Sequence, residues 1–232
     1  MAAGVVLGGL SARLVPDDNR LDSHRRLVLA LAALGGAVLG AYGFELPADL
    51  LGWHAPAPAG VTGDGMPLGG RTVLGGILGG WIAVESVKPR LNIRRPTGDG
   101  FALPLAVALT CGRLGCALTG CCQGVRCAPS ALAWRDALGV PRVPVQMIEM
   151  VFHAAAAVAL FVAARRQLAS GRCLAIYVAL YGALRFALEF WREHPPIALG
   201  LTWYQILAMA LTALGGVTWW RRRRIATAAA LR

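Results

Sequence analysis

The chain has 232 residues, of which 56% are hydrophobic and only 15% charged, with a net charge of +11 and a mean hydropathy of +0.56. Such proportions exclude an ordinary soluble domain, which needs less apolar surface, and an amphipathic soluble bundle, which would carry more charge. The positive charge falls in short clusters between apolar runs, which argues against a nucleic-acid partner and for a helical membrane protein.

Seven apolar runs follow one another: residues 1–15, 27–46, 67–87, 101–122, 143–164, 173–190 and 201–220. A span needs about 20 residues, and backbone polar groups in lipid must be satisfied internally, so these runs predict helices. The first is short, but it lacks a basic n-region and therefore reads as a span rather than a cleavable signal peptide. If the arginines at 221–224 are cytoplasmic, seven spans leave sixteen basic residues in cytoplasmic segments. Five lie outside (Arg71, Arg126, Arg135, Arg142, Arg192). That asymmetry agrees with the positive-inside rule, and six spans would destroy it. The expectation is an all-α polytopic membrane protein of about seven transmembrane helices, N-terminus outside and C-terminus cytoplasmic. It forms one transmembrane domain over residues 1–232, with a small external segment at about 124–142.

Two arginines remain inside spans, Arg113 in the fourth run and Arg185 in the sixth. An ionisable residue at membrane depth costs several kcal/mol and marks a functional site by default. Tyr181, Arg185 and Glu189 are spaced i, i+4, i+8, which stacks them on one helix stripe. A self-neutralising Arg–Glu pair would account for that run alone. Arg113, however, has no carboxylate in its own span, and Glu189 cannot neutralise two arginines. The surplus charge suits an anion such as a phosphodiester, held by guanidinium forks. Gln146 and Glu149, early in the fifth run, start near the same outer level.

Other features carry less chemistry. Gly75/Gly79 and Gly76/Gly80 form GxxxG pairs that predict close helix packing, and Gly69 and Gly70 precede them. Gly112, Gly120 and Gly124 let a helix or a lipid approach. Cys116, Cys121, Cys122 and Cys127 read first as a disulfide or as inert packing. A zinc site fits poorly, because two cysteines are adjacent and no histidine is near, and a reactive thiol is a third reading. No metal and no cofactor are expected. His24, His54, His153 and His194 share no ligand spacing, although His194, after the sixth run, stands where a base could act. Asp64 and Asp99 read as turn residues in glycine-rich loops.

The stretches GRLGCALTGCCQG (112–124) and YGALRFALEFWRE (181–193) together resemble the prolipoprotein diacylglyceryl transferase family. That family's pattern is GRxGNFxNxExxG, followed near the C-terminus by YGxxRFxxEFxR. Arg113 and Gly124 fall on the first motif, and Tyr181, Arg185 and Glu189 on the second. VPVQMIEM resembles the family's HPxQLYE through Pro144, Gln146 and Glu149, and the third run resembles its GGxxxHGG region. Where the family has histidine, asparagine, glutamate and histidine, this chain has Leu74, Cys116, Cys121 and Val143, and its first run has no tyrosine.

The resemblance implies an enzyme that transfers the diacylglyceryl group of phosphatidylglycerol to the lipobox cysteine of a preprolipoprotein. It implies a multi-pass protein of the bacterial inner membrane with its site towards the outer face, and partners limited to phosphatidylglycerol, the preprolipoprotein and the bilayer. Carried over residue by residue, it makes Arg113, Arg185, Glu189 and Tyr181 catalytic. Arg113, Gly115, Gly124, Gln146 and Glu149 become lipid-binding; with the family's histidine absent, the resemblance supplies no acceptor for the thiol proton, and Glu149 or the phosphate itself is the candidate. Two alternatives stand beside it: a related transferase with another acceptor or donor lipid, and a non-catalytic protein that binds anionic lipid.

Overall fold

The computed structural model describes residues 2–12, 21–53, 71–130, 133–136 and 138–230. Three of the sixteen basic residues expected in cytoplasmic segments, Arg13, Arg20 and Arg232, lie outside them, as do His54, Asp64, Gly69 and Gly70. The molecule is mostly helical, as the apolar runs predict. Its elements are α1 (Ala2–Ser11), α2 (Ser23–Gly43), α3 (Leu46–Leu51), α4 (Val73–Val87), a 3-10 turn (Lys88–Leu91), α5 (Asp99–Thr119), β1 (Trp134–Arg135), β2 (Pro141–Arg142), α6 (Val145–Arg165), α7 (Cys173–Glu189), β3 (Pro196–Ala198), β4 (Leu201–Thr202) and α8 (Trp203–Ala230). Among the described residues, three helical stretches are long and apolar enough to cross a membrane: Ser23–Leu51, Asp99–Thr119 and Val145–Arg165. The chain is a helical membrane protein.

The elements divide into two compact units, with α8 contributing to both. One unit holds α2, α3, α4, the 3-10 turn, β3, β4 and α8 up to Leu211. Here α2 and α4 approach until their backbones touch: a Cβ added to Gly40 would lie 2.8 Å from the Gly79 Cα. Gly75 and Gly79 face Gly40 and Gly36, so the GxxxG spacing does serve close packing. Leu74 is buried in the apolar core of this unit. Trp203 Nε1 donates to the Phe44 carbonyl at 2.7 Å and Tyr204 Oη to Glu45 Oε1 at 2.5 Å, tying the start of α8 to the end of α2. The His194 ring lies against Tyr204, with 4.4 Å between ring centroids.

The other unit holds α1, α5, α6, α7, the β1–β2 hairpin and α8 from Thr212 onward. Asp99 is not a turn residue. It opens α5, and its carboxylate accepts from the backbone N–H groups of Gly171 (2.5 Å) and Leu174 (3.2 Å). One acidic side chain thus caps the first turn of α7 from the neighbouring helix, where the free N–H groups and the helix dipole favour a negative charge. The cap also fixes α5 and α7 relative to each other at their starts. Gly120, at φ +68°, ends α5 in a left-handed turn: its N–H donates to Ala117 O, and the N–H of Cys121 donates to Cys116 O at 3.1 Å. This is the Schellman arrangement that a C-terminal glycine makes possible.

Two short hairpins were not foreseen among the helices. In one, Trp134 pairs with Arg142 and Arg135 with Pro141. Asp136 shapes its turn by accepting from the N–H groups of Leu138 (3.0 Å) and Val140 (2.9 Å), and it pairs with Arg142 Nε at 2.8 Å. That guanidinium holds the Asp136 carboxyl below its usual range. Hydrogen bonds from Gly124 N to Val143 O (3.0 Å) and from Val125 N to Trp191 O (2.9 Å) anchor this segment between the start of α6 and the end of α7.

Candidate functional site

Three helices bring these buried charges together, one face from each. From α7 come Tyr181, Arg185 and Glu189, whose i, i+4, i+8 spacing puts all three on the buried side. From α5 comes Arg113, and from α6 come Gln146, Glu149 and His153, spaced i, i+3, i+7 and all fully buried. Each apolar helix thus gives up part of one stripe to polar groups, and those stripes face one another rather than lipid.

Glu149 sits at the centre with no exposed surface. Its Oε2 is ion-paired with Arg113 Nε, and its Oε1 lies 3.4 Å from Arg185 Nε. Arg185 Nη1 also donates to Glu189 Oε2 at 2.5 Å, and Arg192 Nε stands 4.0 Å from the same oxygen. The two carboxylates therefore balance Arg113 and Arg185, and Arg192 leaves the group one positive charge in excess. The expected surplus on the two arginines is corrected here: Glu149, assigned to lipid binding from the sequence, is the second counter-ion. A buried charge without a partner costs several kcal/mol, so Glu149 is what lets two arginines share this interior.

Hydrogen bonding at the centre is incomplete. Arg113 Nη2 donates to Tyr181 Oη at 3.4 Å. Yet Arg113 Nε and both Glu149 oxygens have no hydrogen-bond partner among the described residues, so neither arginine closes a bidentate fork on Glu149. Gln146 is fully buried, and neither its amide oxygen nor its amide nitrogen has a hydrogen-bond partner among the described residues. A buried unsatisfied polar group costs about 1–3 kcal/mol, which makes this amide the strongest sign of a missing partner.

The aromatic wall was not read from the sequence. His153 shares its Nδ1 with Tyr177 Oη at 2.8 Å, its Nε2 has no partner among the described residues, and its ring lies 4.6 Å from that of Tyr181 between centroids. Phe152 stacks on both tyrosines. The signal for His153 in the sequence is the 146–149–153 spacing on one helix face, since it shares no ligand spacing with the other histidines.

The remaining expected residues fall around this cluster rather than in it. Gly124 is buried where the hairpin segment meets α7, and a Cβ there would sit 2.8 Å from the Trp191 carbonyl oxygen. Gly115 is on the exposed side of α5, about 200° around the helix from Arg113. All six cysteines are free thiols, so no disulfide joins the cluster of Cys116, Cys121, Cys122 and Cys127. The sulfurs of the first three lie within 4.8 Å of one another.

A family model described as prolipoprotein diacylglyceryl transferase matches residues 2–221. Phosphatidylglycerol–prolipoprotein diacylglyceryl transferase 2 of Clostridium perfringens is 31% identical over 160 residues, covering 67% of this chain and 61% of that protein. The phosphatidylglycerol–prolipoprotein diacylglyceryl transferase of Dehalococcoides mccartyi is 31% identical over 169 residues, 66% of this chain and 60% of that protein. The protein of that name from Geobacter sulfurreducens is 35% identical over 136 residues, 57% and 52% of the two chains. The chain therefore spans about three-fifths of the length of the first two relatives.

Proposed function

This chain belongs to the prolipoprotein diacylglyceryl transferase family, and from that membership we propose that it moves the diacylglyceryl group of phosphatidylglycerol onto the lipobox cysteine of a preprolipoprotein. The observation that carries the reading is the meeting of Arg113 and Arg185 on Glu149 without a closed fork, beside the unpartnered amide of Gln146. A phosphodiester accepts bidentately from guanidinium and accepts from the Gln146 amide nitrogen, so it satisfies donors that the protein leaves open.

In the proposed reaction the peptide thiolate attacks the diacylglyceryl carbon that bears the phosphate ester. The S–C bond forms, the C–O bond to phosphate breaks, and glycerol phosphate leaves with the electron pair. Arg113 and Arg185 hold the phosphate as its charge develops, Glu189 orients Arg185, and Tyr181 bonds the lipid and Arg113. Gln146 and Glu149 line the headgroup position, Glu149 or the leaving phosphate takes the thiol proton, and Gly115 and Gly124 leave room for lipid and chain.

The arrangement in the membrane belongs to the same proposal: seven spans in one transmembrane domain, N-terminus outside, C-terminus cytoplasmic, the segment at 124–142 external. The site then lies towards the outer face of the bacterial inner membrane, and the partners are phosphatidylglycerol, the preprolipoprotein and the bilayer. The excess of basic residues in the cytoplasmic segments supports this orientation. Cys116, Cys121, Leu74 and Val143, standing where the family has polar groups, favour a second reading in which the acceptor or donor lipid differs.

The test is a transfer assay with purified protein, phosphatidylglycerol labelled in its acyl chains and a lipobox peptide. Label on the peptide cysteine, lost in Arg113→Ala, is expected. Absence of label while phosphatidylglycerol still binds overturns the acceptor and leaves the second reading.

A further inference from the structure

The thiols of Cys116, Cys121 and Cys122 have no part in the proposed transfer, yet the backbone itself gathers them. The Schellman turn bonds the Cys121 N–H to the Cys116 carbonyl, so the residue after Gly120 returns to the helix it has just left. Cys122 is then held at φ +60°, a left-handed conformation that is strained for a non-glycine residue and persists only where its surroundings demand it. The result is three sulfurs mutually within 4.8 Å at the end of α5. Thr119 Oγ1 donates to Cys121 Sγ at 3.3 Å, and the positive charges of Arg113 and Arg192 act on Cys122. Metal binds sulfur as thiolate.

From this geometry we infer a three-coordinate thiolate site, formed by Cys116, Cys121 and Cys122, for a soft monovalent ion of the copper(I) class. Three thiolates around such an ion at about 2.3 Å place the sulfurs roughly 4 Å apart, which rotation about the Cα–Cβ bonds reaches from the present spacing. Soft thiolate ligands select this class of ion, and no histidine is needed. The missing histidines and the adjacent cysteines that argue against tetrahedral zinc are therefore no objection here. Each coordinated thiol gives its proton to solvent, and the neighbouring arginines offset the negative charge that results. The fourth cysteine of the stretch, Cys127, lies outside the triad.

The experiment uses the full chain, reduced and in detergent, titrated with copper(I) held by a chromogenic chelator. One ion withdrawn per chain is expected, with affinity falling at least about 100-fold in Cys116→Ser, Cys121→Ser or Cys122→Ser and unchanged in Cys127→Ser. A second measurement needs no variant: copper(I) should protect Cys116, Cys121 and Cys122 of the wild-type chain from maleimide alkylation, read by mass spectrometry, while Cys111, Cys127 and Cys173 react as before. No withdrawal, equal loss in Cys127→Ser, or protection spread evenly over all six thiols overturns the site. Because neither readout involves lipid transfer, its failure is distinct from failure of the proposed activity.

Discussion

Helices α2 and α4 meet over glycine, backbone against backbone, whereas α5, α6 and α7 meet through charged and aromatic side chains. In the first contact backbone meets backbone, and its tightness comes from what Gly36, Gly40, Gly75 and Gly79 lack. In the second, Arg113, Arg185, Glu149 and Glu189 bury four charges that an apolar interior tolerates only as a set. A membrane protein can build a rigid interface cheaply with small residues. Buried ion pairs in one place and glycine in the other indicate that the charges are not there for packing.

The sharpest way to break this contrast is to remove the central carboxylate. Glu149→Gln leaves Arg113 and Arg185 to share Glu189, and the expected loss is about 3–5 kcal/mol of stability, read by unfolding in detergent. Glu149→Asp should recover part of it. If Gln costs less than about 1 kcal/mol, the arginines are compensated from elsewhere and Glu149 is not the counter-ion.

The glycine contact predicts a difference in sign between neighbouring positions. Gly40→Ala drives a methyl into the Gly79 backbone and should cost about 1–3 kcal/mol. Gly35→Ala, where an added Cβ meets nothing within 4 Å, should stabilise the same helix by about 0.5–1 kcal/mol. Two stabilising changes would mean that α2 and α4 stand further apart than described.

The two regions were unequally legible in the sequence. GxxxG spacing is local, so the role of Gly75 and Gly79 could be read without knowing their partners. Hydropathy likewise located the helices: the run at 173–190 became α7 (Cys173–Glu189), and the run at 143–164 became α6 (Val145–Arg165). Non-local pairing was not legible. Nothing in the fifth run says that Glu149 meets an arginine 36 residues earlier and another 36 later, or that Asp99 caps a helix beginning at Cys173. The cysteine triad was half legible: its spacing was plain, but its convergence depends on the left-handed turn at Gly120 and Cys122.

The smallest expected effect lies outside both contacts, in the hairpin, and it separates charge that serves local shape from charge that serves a site. Asp136 accepts from Leu138 and Val140 and pairs with Arg142, which holds its carboxyl below the ordinary value of 3.8. A group depressed in the folded state contributes stability that is fully present above its unfolded value and is lost as pH falls through the folded one. Exchange protection of the Leu138 and Val140 amides, corrected for intrinsic rates, should therefore be flat at neutral pH and decline only below that value. Asp136→Asn should remove the decline, because its amide keeps an oxygen for those N–H groups but has no charge to lose. Phosphatidylglycerol binding should be untouched by the same substitution, since Asp136 bonds its own turn and Arg142 rather than Arg113 or Arg185. Lipid affinity that fell with Asp136→Asn would draw the hairpin into the site and remove the boundary between the two kinds of charge.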